Sequence, residues 1–234
     1  MANRRMVLAL GGASLVAGGF WWLNQGPGET LLRSSSLSLG ATPAMADTTT
    51  PAADAKLPDV PDMSMGNPNA KVTMIEYGSF TCPHCEEFHA SVWPLVKKNY
   101  IDTGKVRFTF REVYFDKYGL WAGMMAHCAG PMRYFGVVDI LYNTQQQWAA
   151  TDNPNQAVAN IRKIGTEAGL TNDQLDQCMN DGAMAQALVA KFQKDTAADK
   201  IKGTPSFVID GTTYENMSYA EMSKILDAQL AKNG

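Results

Sequence analysis

The motif Cys82-Pro83-His84-Cys85 lies where a β-rich run meets a helical one, and that placement constrains the fold more than any other feature of the 234-residue chain. Val72-Thr73-Met74-Ile75-Glu76-Tyr77 is short, largely apolar and ends at Gly78-Ser79, so it reads as a buried strand feeding a turn. Residues 82 to 99 lack glycine and carry Pro83 in the first turn, where its missing N–H costs nothing. They place Phe88, Val92, Leu95 and Val96 on one face, and Pro94 is expected to kink the helix. Val106 to Val113 alternates apolar and polar residues as a second strand. The order strand, helix, strand implies a parallel pair, the start of an α/β fold.

A helix N-terminus offers free backbone N–H groups and the positive end of the dipole, so Cys82 stands where a thiolate is favoured. His84, between the two sulfurs, adds a donor or a positive charge that lowers the Cys82 pKa further, making it both nucleophile and good leaving group. Cys85, one turn in, is expected to be the shielded partner. Two other readings compete: an inert disulfide, and half of a zinc site completed by His89 or by His127-Cys128. Zinc is disfavoured because Cys128 and Cys178 lie 50 residues apart on expected helices and form no second close pair. An inert bridge has no need of a tight loop at a helix start, where a bridge is labile. His89 and His127 read as ordinary surface or core histidines.

From Lys117 to Asp199 the pattern is helical, with four or five short helices expected. Gly130-Pro131 breaks one, Asn153-Pro154 opens another, and Thr171 to Gln174 has the spacing of a capping box. Pro205 to Ile209 is a strand, Asp210-Gly211 a two-residue hairpin turn, Thr212 to Tyr214 its partner, and residues 218 to 231 an amphipathic helix. The α/β module is therefore divided into residues 61–116 and 200–234. An all-helical domain, 117–199, is inserted after the second strand of the module.

The N-terminus carries Arg4-Arg5 and then an uncharged run from Met6 to Leu23, so residues 1–23 read as a signal sequence or a membrane anchor. Residues 24–60, rich in Ser, Thr, Ala, Pro and Gly, read as a flexible linker. Either form of the N-terminus places the rest outside the cytoplasm. With 20 Lys+Arg against 23 Asp+Glu, a net charge of −3 and no basic cluster, nucleic acid is excluded as a main partner. The glycine-rich and nucleophile-elbow motifs of cofactor and phosphate sites are missing from the sequence, so no cofactor is expected.

Gly66-Asn67-Pro68, then Glu76-Tyr77-Gly78-Ser79-Phe80-Thr81-Cys82-Pro83-His84-Cys85, then Gly203-Thr204-Pro205 occur in an order that resembles the DsbA family of thioredoxin-like oxidoreductases. The resemblance spans about residues 60 to 234. It implies that Cys82 forms the mixed disulfide with a client protein, that Cys85 resolves it, and that the Thr204-Pro205 bond is cis beside them. The neighbouring backbone, Gly203 included, would hold an extended client segment as an added strand. It also implies that Glu76, an acid inside an apolar strand, shuttles the Cys85 proton. A membrane quinone reductase of the DsbB type would be the reoxidant, in a periplasmic setting. In such an oxidising compartment Cys128 and Cys178 are expected to form a structural disulfide. Thr204 stands where the best-known members have valine, which keeps a reductase or isomerase on the same fold as an alternative. A non-catalytic tethered binding module or chaperone is a second. A monomer is expected, for want of an interface motif.

Overall fold

The computed structural model describes residues 56–234. The expected signal or anchor, 1–23, and most of the expected linker lie outside the described residues. Among the described residues no helix is long and apolar enough to cross a membrane.

Five strands form one sheet in the order β1-β3-β2-β4-β5. β2 (Val72–Gly78) and β3 (Val106–Glu112) run parallel, from Val72 opposite Val106 to Gly78 opposite Glu112. On its other side β2 pairs antiparallel with β4 (Ser206–Ile209), which continues into β5 (Thr212–Tyr214). The turn between them has positive φ at Asp210 (45°) and Gly211 (81°), the twist a two-residue hairpin needs. β1 (Met63–Met65), antiparallel to β3, was not foreseen from sequence. Three residues among prolines and polar groups carry no periodicity, and only the free edge of β3 makes them a strand.

The helix after β2 is broken. α1 (Pro83–Ser91) ends at Val92, α2 (Trp93–Val96) follows, and a π-helical turn covers Lys97–Ile101. The interruption precedes Pro94, whose ring crowds the carbonyl four residues back and whose nitrogen cannot donate. Consequently Leu95 faces solvent at 41 % exposure, contrary to expectation, and Trp93 is buried in its stead with Phe88 and Val96.

Six helices, one more than the expected upper number, fill the stretch between β3 and β4: α3 (Lys117–Cys128), α4 (Tyr134–Asn143), α5 (Gln145–Trp148), α6 (Pro154–Glu167), α7 (Asn172–Met179) and α8 (Gly182–Ala198). The extra one, α5, is a single turn too short to show a period. α3 is buried along Ala122 to Ala126 and packs against α6, α7 and α8. Its Gly123 admits the Tyr114 ring, since an added Cβ would lie 2.7 Å from the phenol oxygen. Cys128 and Cys178 are bonded, tying α3 to α7. The capping box at Thr171 and Gln174 starts α7, and a second, Ser218 with Glu221, starts α9 (Tyr219–Asn233).

Candidate active site

β2 delivers the chain to the site through Gly78, which must stay small: an added Cβ would lie 2.7 Å from the Phe110 ring and 2.8 Å from the Tyr142 hydroxyl. The loop Ser79-Phe80-Thr81 then leads to Cys82, the N-cap of α1. Two groups from the helical stretch hold that loop. Thr81 Oγ1 donates to Asp116 Oδ2 at 2.6 Å, while Asp116 Oδ1 caps α3 by accepting from Gly119 N. Gln145 Nε2, buried, donates to the carbonyls of Phe80 (2.8 Å) and Cys82 (3.0 Å).

Across from the α1 N-terminus the Thr204-Pro205 peptide is cis, and Cys82 Sγ, as a thiol, donates to Thr204 O at 3.5 Å. Both active-site cysteines are free; Cys82 is 9 % exposed and Cys85 0 %. The Cys82 thiol is pulled from 9.0 to about 5, first by the hydrogen bond its sulfur accepts from Cys85. Burial opposes the shift; the Thr204 side chain and the backbone N–H groups of Cys85 and His84 add to it. Cys85 is pushed far above its ordinary range, chiefly by the same bond seen from the donor side, then by burial and by the charge of Glu76. The proton therefore sits on Cys85 and the negative charge on Cys82. Of the two contributions expected of His84, a donor or a positive charge, the donor is its backbone N–H; the imidazole is 71 % exposed and lies 4.0 Å from Glu87.

Glu76 is fully buried in β2, and its Oε1 lies 3.0 Å from His89 Nε2. The His89 ring stacks on Tyr142, with centroids 4.0 Å apart and 19° between planes. Pro83 occupies the first turn of α1. Gly203, Thr204 and Pro205 line an open groove of about 520 Å³, together with Lys200, Lys202 and Tyr214. Cys128 is committed to Cys178 and has no free thiol with which to complete a zinc site. His127 lies instead 2.8 Å from Glu112, the last residue of β3, and pairs with that carboxylate.

The thioredoxin family profile matches residues 59–228. The chain belongs to the DsbA-like branch of the thioredoxin family. The crystal structure of Wolbachia pipientis alpha-DsbA1 superposes with a TM-score of 0.69 at 28 % identity, over 76 % of this chain and 94 % of that one. A Rickettsia bellii protein named "Putative protein-disulfide oxidoreductase" is 32 % identical over 75 % of this chain and 67 % of its own length. A Rickettsia typhi protein of the same description is 34 % identical over 72 % of this chain, which spans only 62 % of it.

Within this DsbA-like site, sequence reasoning missed Gln145, Tyr142 and His89. Gln145 stands in a Gln-Gln-Gln run that gives no hint which member is buried. Tyr142 is one of three aromatics on α4. His89 did carry a signal: it follows Cys85 by four residues, which on a helix puts it on the same face.

Proposed function

We propose that this chain is an exported protein dithiol oxidase that introduces disulfides into client proteins through Cys82 and Cys85. A client thiolate attacks Cys82 of the Cys82–Cys85 disulfide, the S–S bond breaks, and Cys85 leaves with the electron pair and takes a proton. A second client thiolate then attacks the client sulfur of the mixed disulfide, closing the client bridge and releasing the Cys82 thiolate. The stabilised Cys82 thiolate is the observation that carries this direction. Whatever holds it near a pKa of about 5 favours the reduced protein, and hence makes the disulfide a stronger oxidant. The groove beside Thr204 and Pro205 suits an extended client segment. Turnover then requires a reoxidant that accepts two electrons from Cys82 and Cys85, by family resemblance a quinone reductase of the DsbB type. The periplasm, a soluble or tethered form and a monomeric state belong to the same proposal.

The test is the redox equilibrium of the purified protein against glutathione, with thiolate absorbance of Cys82 followed as pH falls. A potential above that of glutathione with a low Cys82 pKa supports the oxidase. A near-normal pKa with a thioredoxin-like potential sinks it in favour of the reductase or isomerase, the alternative that Thr204 keeps alive.

A further inference from the structure

We propose that His89 is the solvent outlet for the Cys85 proton, working with Glu76 as a charge-balanced pair that opens on a pocket between α1, α2 and α4. The proposal rests on the dithiol chemistry above. In that chemistry the Cys85 sulfur gains a proton when the disulfide is reduced and loses it when the disulfide is rebuilt, yet Cys85 and Glu76 are both 0 % exposed. A proton acceptor sealed beside a sealed thiol only moves the problem by one residue. An outlet is required, and the structure supplies the parts of one.

Glu76 commits Oε1 to His89 Nε2 and leaves Oε2 buried without a partner; His89 in turn leaves Nδ1 buried without a partner. Buried polar atoms are normally satisfied, so two orphans on one hydrogen-bonded pair call for explanation. His89 is also part of the wall of an open pocket of about 220 Å³, shared with Trp93, Lys97, Asp139, Tyr142 and Asn143. That volume holds several waters, and its polar walls can bind them. The groups facing the imidazole come from every element around it. Glu76 faces it from β2, and Phe110 from β3 in edge-on contact. Phe88 lies beside it on α1 and Trp93 on α2, and Tyr142 stacks on it from α4. Asp139 and Lys97 stand at the mouth. Tyr142 is held neutral by burial, and Asp139 is pushed above the usual carboxylate range by burial while the charge of His89 pulls it back.

The step balances. When Cys85 releases its proton to attack the mixed disulfide, Glu76 Oε2 accepts it and a proton on His89 Nδ1 passes to water in the pocket. The Nε2–H bridge to Oε1 is kept throughout. One proton enters the pair at Glu76 as one leaves it at His89, so the net charge of the pair is unchanged and none is stranded in the interior. On reduction the pocket returns a proton to Nδ1 and Glu76 returns its own to Cys85. Each half of the cycle resets the other.

The experiment mixes the reduced full chain with oxidised glutathione under acid quench, resolving Cys82 attack from the Cys85 attack that expels glutathione. His89→Gln keeps an N–H for Glu76 Oε1 but has no second titrating nitrogen. It should leave the first step unchanged and slow the second by roughly tenfold or more. His89→Ala opens a space continuous with the pocket. Added imidazole should restore its second step, whereas pyrazole, of like size but not titrating near neutrality, should not. A second step unchanged in His89→Gln, or equal restoration by the two azoles, would overturn the relay while leaving the oxidase standing. Failure of the wild-type chain to form the glutathione adduct at Cys82 would overturn the dithiol chemistry itself, and the relay with it.

Discussion

Cys82 and Cys85 are the same side chain three residues apart, and their surroundings drive them to opposite protonation states. Cys82 collects the Cys85 S–H, two backbone N–H groups of the first turn and the Thr204 side chain; Cys85 has the apolar interior and the charge of Glu76. Because the Cys82 pKa is depressed from 9.0 to about 5, its stabilising effect on the reduced fold is full above 9.0 and is lost as pH falls through about 5. The stability of the reduced protein relative to the oxidised one should therefore shrink across that window, as thermal unfolding of both forms at several pH values will show. Groups that titrate alike in the two forms cancel from the difference. Thr204→Val removes a buried hydroxyl that has no partner of its own and favours the thiolate, and should raise the Cys82 pKa by about one unit. Thiolate absorbance checks this, and an unchanged titration would mean that the Thr204 hydroxyl does not reach the sulfur. His84→Ala, by contrast, should move that pKa little, because the backbone N–H stays when the exposed ring is removed.

At the scale of elements, the helical stretch is bound to the sheet by buried polar groups as well as by apolar packing. Glu112 at the end of β3 accepts from Tyr134 Oη of α4 at 2.5 Å and lies 2.8 Å from His127 Nε2 of α3. The His127 contact is close but poorly aligned for a hydrogen bond, so it acts mainly as a charge pair. Burial opposes both charges, yet the pairing wins: Glu112 is held below its ordinary 4.5 and His127 above its ordinary 6.5. The Glu112 contribution is present above 4.5 and fades as pH falls through its lowered value; that of His127 is full below 6.5 and fades as pH rises through its raised value. His127→Gln leaves a buried carboxylate without its counter-charge and should cost about 3 kcal/mol in urea unfolding. It should also flatten the decline of stability on the alkaline side. A loss below about 1 kcal/mol would mean that Tyr134 alone satisfies Glu112. The elements carrying this pair were legible in the sequence, since β3 alternates and α3 is periodic. The pair itself was not, because a histidine and a glutamate fifteen residues apart on different elements share no pattern.

For the whole molecule, the bridge from Cys128 to Cys178 spans a sequence separation of 50, and in the chain-entropy view closing such a loop contributes about 4 kcal/mol. Replacing both by alanine should lower stability by up to about that amount. The Cys82 pKa should stay in place, because α3 and α7 meet away from Thr204 and the α1 N-terminus. If the double variant shifts that pKa, the bridge is coupled to the active site through Gln145 or Asp116, the two helical-stretch groups that grip its loop. The sequence by itself determined the strands with strong β patterns, the helix start at Cys82, the hairpin at Asp210-Gly211 and the capping box at Thr171 and Gln174. All of these depend on neighbours within a few residues, which periodicity and turn chemistry record. Only the tertiary structure decided that β1 is a strand, that Leu95 faces water while Trp93 does not, that the His84 ring stands in solvent, that Gln145 holds the Cys82 carbonyl, and that His89 joins Glu76 while stacking on Tyr142. Those outcomes depend on which distant surfaces meet. A chain records such meetings in burial and in paired polar atoms, which have no spacing to read.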